Sequence, residues 1–68
     1  MTVDTQALKA KMAYHNLLQK DIAESLDMTR TTLNLKLQTG EFKISEIHRL
    51  MEIIPLSMKE VEEIFFVK

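Results

Sequence analysis

The sequence predicts an all-α domain, a compact orthogonal bundle of five short helices. Apolar residues recur at i, i+3 and i+4 in short runs. Nearly every run is preceded by a residue able to cap a helix. One glycine and one proline among 68 residues leave too little turn chemistry for a many-stranded β fold. The patterns are also too short for long antiparallel helices. A second core would not fit, so residues 1–68 form one domain.

Asp4 is placed to cap the first helix, with Val3 and Leu8 stapled across its first turn. Leu8 and Met12 share one face, Asn16 closes the helix in a left-handed conformation, and Leu17 returns to the core. A second helix reads from residue 19 to about 26, with Ile22, Ala23 and Leu26 inward. Thr29 caps a third over about 30–38, with Leu33 and Leu37 as its buried seam and Gly40 beyond its end. Ser45 is expected to cap the fourth, which holds Ile47, Leu50, Met51 and Ile54 inside until Pro55 stops it. The fifth start is the best marked: Ser57 and Glu60 form a capping box, and Leu56 and Val61 a hydrophobic staple. Ile64 and Phe65 continue that face.

Composition bounds the chemistry. No cysteine is present, so disulfides and thiolate metal sites are excluded. A domain this small buries only about 60% of its unfolded surface, and dimerisation is the remaining common remedy. No apolar run approaches the roughly 20 residues of a membrane span, and the first residues do not read as a signal peptide. A soluble cytoplasmic protein is expected. Net charge is −1; residues 1–40 carry +1 and residues 41–68 carry −2, a slight basic lean toward the first part.

Residues 19–38, QKDIAESLDMTRTTLNLKLQ, carry the functional signal. They read as two short helices joined by a tight turn. Small Ala23 allows a close crossing, Asp27 tolerates positive φ, and Met28 plugs the turn. This is the order of parts in a helix-turn-helix, whose second helix enters the DNA major groove. At Leu17, Gln19, Ile22, Ala23, Leu26, Met28, Thr31, Leu33 and Leu37 the chain resembles the Cro and lambda-repressor-like family of phage and bacterial regulators. The likeness continues through Ile44-Ser45-Glu46-Ile47 and covers roughly residues 6–66. It implies a lambda-repressor-like DNA-binding domain and a phage or bacterial host. Two positions depart from the family pattern: Asp27 stands where glycine is usual, and Leu18 where threonine or serine is frequent. Leu18 is a poor cap, so the second helix is expected to start with unsatisfied amides.

At about 100° per residue, Thr31, Leu35 and Gln38 lie opposite Leu33 and Leu37, with Asn34 on the flank. Leu35 has no local reason to stand among polar residues. Arg30 in the first turn opposes the helix dipole at a cost of about 0.3–1 kcal/mol. Residues that break local rules are candidates for function. Arg30 is assigned to a guanine edge, Thr31 and Asn34 to secondary contacts, and Leu35 to an apolar base contact. The resemblance makes Gln19 a phosphate contact, with Lys20, Lys36 and Lys43 neutralising further phosphates.

Other residue types have plainer readings. His15 and His48 have no neighbouring ligand set, Ser25, Ser45 and Ser57 have no triad spacing, and Glu60, Glu62 and Glu63 read as a solvated face. No phosphate-cradling glycine loop is present. No enzyme activity, metal, cofactor or small-molecule ligand is expected. Phe65 and Phe66 cannot both face one side of a helix, and both are candidate dimer contacts. The expected function is a Cro-like repressor that binds a near-palindromic double-stranded operator as a homodimer. The rival is a protein-interaction module on the same fold, leaning on Leu35 and Phe66.

Overall fold

In a computed structural model, which describes residues 2–66, five helices follow one another: α1 (Thr5–Tyr14), α2 (Gln19–Ser25), α3 (Arg30–Thr39), α4 (Ile44–Ile53) and α5 (Met58–Phe65). No strand forms among the described residues; an isolated antiparallel bridge joins Thr2 to Glu41. No helix among them is long and apolar enough to cross a membrane.

Each helix start has a local cause. Asp4 accepts from the Ala7 amide at 3.2 Å, and Val3 and Leu8 are both buried as a staple. Thr29 Oγ1 accepts from the Thr32 amide at 3.1 Å. Ser57 and Glu60 complete their reciprocal box, at 3.2 and 3.0 Å. One start differs from expectation. The α4 cap is Lys43, not Ser45, because the Glu46 carboxylate accepts the Lys43 amide at 2.8 Å and starts the helix two residues earlier. At α2 the Leu18 side chain caps nothing, but Asp21 accepts the Leu18 amide at 3.2 Å. That leaves the amides of Gln19 and Lys20 without an acceptor among the described residues.

Three of the helix ends are set by left-handed residues. Asn16 has φ 56° and Asp27 φ 57°. After α1 the Leu17 amide bonds Met12 O at 2.8 Å and the Asn16 amide bonds Ala13 O at 3.1 Å. After α2 the pattern repeats, with Met28 to Ala23 O at 3.0 Å and Asp27 to Glu24 O at 3.1 Å. Both are Schellman closures, in which a left-handed residue lets two amides fold back onto orphan carbonyls. Gly40, φ 77°, closes α3 by a single bond from its amide to Lys36 O at 2.7 Å. Ile54, just before Pro55, is extended at φ −109°, ψ 117°, and ends α4.

The helices enclose one core in which α2 packs on α3 and α4, and α1 on α5. Leu8, Leu33, Leu50, Ile54 and Phe65 are fully enclosed. Met51, expected inside, lies at the rim of the α4 stripe and is 37% exposed. Phe42, on the connection after α3, is buried without any helical period to announce it. The segment before α1 ties the bundle together: the Val3 amide bonds Gly40 O at 2.7 Å and the Asp4 amide bonds Ile64 O at 2.8 Å.

Gly40 is required twice over. Its φ is left-handed, and a Cβ there would stand 2.9 Å from Val3 O. Gly40→Ala is expected to cost about 1–2 kcal/mol in urea unfolding. Asp27→Gly, at a left-handed site already occupied by an L-residue, should shift stability by less than about 0.5 kcal/mol. Equal losses for the two variants would contradict this account of the two turns.

Candidate nucleic-acid interface

The pairing of α2 with α3 begins at Ala23, which is buried where the two helices meet and leaves room for close approach. The connection between them, residues 26–29, is short because the Asp27 closure reverses the chain at once and Thr29 opens the next helix. Met28 packs against the core beneath that turn. From the far side Arg49 of α4 donates its Nε–H to Ser25 O at 3.1 Å, satisfying a carbonyl at the end of α2 with a cation. Arg49 also pairs with Glu52 at 3.1 Å. The position of α2 is therefore held from both sides.

That arrangement gathers four of the residues assigned from sequence. Gln19 at the start of α2, with Arg30, Thr31 and Asn34 of α3, lines one open depression of about 460 Å³. Lys20 and Arg30 border a neighbouring hollow with Ala23, Glu24 and Met28. Leu35 projects from the pole of α3 opposite the buried seam and is 57% exposed. The side chains of Gln19, Lys20, Arg30, Thr31 and Asn34 make no hydrogen bond or ion pair among the described residues. Their polar groups face solvent with full bonding capacity.

Lys36 is not brought to this depression. It lies on the flank of α3 opposite Asn34, pairs with Glu46 at 3.1 Å and stands 5.9 Å over the Phe42 ring. Its role is to fasten α3 to α4, and the 100° helical step already places Asn34 and Lys36 on opposite sides of Leu35. Lys43 is exposed beside the same cluster, near Phe42 and Ile44. Partial burial pushes the Glu46 carboxyl up. The Lys43 amide, the Lys36 ammonium and the charge of Lys43 outweigh that effect, so Glu46 lies below the ordinary glutamate value.

The two phenylalanines separate. Phe65 is fully enclosed in the chain's own core and is no surface contact. Phe66 is 50% exposed and lines a hollow of about 470 Å³ with Met58, Val61 and Glu62. Sequence reasoning missed Met58 as its exposed companion; it is three residues before Val61 and seven before Phe65, so the helical step alone groups it with the buried stripe, yet at the first helical position it is exposed. His15 stacks edge-on to Tyr14 at 5.0 Å, and His48 is exposed on α4. No group of three or more metal-ligating side chains occurs among the described residues. No protein-family model matches the chain, and no curated protein or solved structure matches it either.

The Glu46 cluster gives a pH prediction. A carboxyl held below its unfolded value stabilises the fold above that value and loses the contribution as pH falls through the lowered one. Glu46→Gln should therefore be less stable than the parent at pH 7, with the gap closing below about pH 4.5. Parallel unfolding curves from pH 7 to pH 3 measure it; a gap that widens in acid would refute the assignment.

Proposed function

We propose that the chain is a sequence-specific double-stranded DNA-binding regulator, a Cro-like repressor with a lambda-repressor-like fold and a helix-turn-helix formed by α2 and α3. The observation that carries the reading is the convergence of Gln19, Arg30, Thr31 and Asn34 on one open depression with their polar groups unused. In this reading α3 lies in the major groove. Arg30 bonds O6 and N7 of guanine with its planar fork, Thr31 and Asn34 add secondary contacts, and Gln19 with Lys20 holds phosphate from the start of α2. Lys43 reaches phosphate from beyond α3. Lys36, engaged with Glu46, is left out.

The reading includes pairing of two chains on a near-palindromic operator, with recognition helices about 34 Å apart. Phe66 and Met58, exposed at 50% and 77%, support α5 as the contact between copies. A protein-interaction module on the same fold is the second reading, favoured by exposed Leu18 and Ile44 near the ends of the proposed DNA-binding elements.

Selection from a random duplex pool decides between them. The expected result is a two-fold motif whose preference at one guanine relaxes in Arg30→Ala. Two phosphate-neutralising lysines per chain give a dimer a slope of about −4 in log affinity against log salt. A folded protein that enriches no motif and shows no salt dependence would overturn the DNA reading.

The aromatic pair makes a separate test. Phe65→Ala should cost about 3–5 kcal/mol of stability. Phe66→Ala should change stability by less than about 0.5 kcal/mol while lowering the sedimentation mass toward that of the monomer. An unchanged mass for Phe66→Ala would remove α5 from the proposed dimer.

A further inference from the structure

The outward face of α3 has one apolar residue. Leu35 is surrounded on the helix surface by Thr31 and Thr32 behind it, Gln38 and Thr39 ahead, and Asn34 at its side. Two of these are occupied: Thr32 accepts from the Thr29 hydroxyl at 3.0 Å, and Thr39 donates to Leu35 O at 3.1 Å. Thr31, Asn34 and Gln38 have no side-chain partner among the described residues. Leu35 is thus a lone apolar contact beside the unused hydroxyl of Thr31 and the unused amides of Asn34 and Gln38, with the paired Lys36 on its other flank.

Protein-binding surfaces use clustered apolar anchors, and α3 offers no second one outside its buried seam. A single aliphatic group among amides matches an A·T base-pair edge instead. There adenine presents N7 and its N6 amino group, which Asn or Gln bonds bidentately, and thymine presents O4 and a C5 methyl group. From this juxtaposition we propose that Leu35 is a specificity-determining residue that reads the C5 methyl group of a pyrimidine, thymine in unmodified DNA, beside an adenine bonded by Asn34 or Gln38. The inference rests on the DNA-binding reading above and names the base class that α3 selects besides the guanine of Arg30. The contact depends on the methyl carbon, so 5-methylcytosine would satisfy Leu35 while cytosine and uracil would not.

The experiment takes the duplex selected by the full chain and replaces each thymine singly by uracil. Binding is measured with the parent protein and with Leu35→Ala; Leu35 lies on the exposed face, so the variant keeps the core intact. One thymine per half-site should be found whose replacement weakens binding about fourfold, and about fifteenfold when both half-sites are changed, the value of one buried methyl group per site. In Leu35→Ala the same replacement should have no effect. Replacing that base pair by 5-methylcytosine·guanine should recover more affinity than cytosine·guanine with the parent only. Uracil tolerated at every position overturns the proposal and leaves DNA binding intact, as does a selected half-site without thymine or a uracil penalty that persists in Leu35→Ala. Failure to select any duplex overturns this proposal together with the DNA reading and returns Leu35 to a protein surface.

Discussion

The left-handed backbone at Asp27 is the constraint on which the candidate site depends. It lets the chain fold two amides back onto the end of α2 and reverse direction within one residue, so that Thr29 can open α3 immediately. A longer connection would free the two helices to choose their own crossing. With Asp27 in place, Ala23 sits at the contact, Met28 fills the space beneath, and Arg49 ties Ser25 O to α4. Gln19 and Arg30, eleven positions apart in sequence, then line the same depression. Asn16 performs the same reversal one helix earlier and fixes where α2 begins.

Most of the fold was legible because its signals are local. Capping residues, proline and the three candidate left-handed positions act within a few residues, and the expected helix limits at Asp4, Thr29, Gly40, Pro55 and Ser57 are those observed. The exceptions involve a partner that was not weighed or lies across space. Ser45 reads as a cap until Glu46 is seen to hold the Lys43 amide. Phe42 lies in no helix and is buried only because the chain passes over the core between α3 and α4. Phe65, four residues after Val61, already shares the inward face by period and is enclosed as the helical step requires, whereas Phe66 is turned about 100° away and half exposed.

The site divides in the same way. Arg30, Thr31, Asn34 and Leu35 follow from the angular step along one helix, and Gln19 joins them through the resemblance. The basic residues were less readable, since a lysine's role depends on which carboxylate stands near it in space. Lys36 is ten residues from Glu46 in sequence and 3.1 Å from it in the fold. Lys11 likewise pairs with Glu60 across α1 and α5. Both pairs are partly buried; they link separate helices and remove those cations from other work.

That removal bears on how a chain of net charge −1 could meet a polyanion. A phosphate at the surface responds to charges within a Debye length, about 8–10 Å at physiological ionic strength, and not to the sum over the molecule. Glu46, Glu52 and Glu60 are spent on Lys36, Arg49 and Lys11. Asp4 and Asp21 accept amides at the starts of their own helices, which draws their charge toward the helix dipole. On α2 and α3 the side chains of Lys20 and Arg30 are left without an ion pair beside the depression lined by Gln19, Thr31 and Asn34. Glu24 lines the neighbouring hollow with them, so two cations stand there against one carboxylate, and this local balance, not the net charge of −1, is what a nearby phosphate meets.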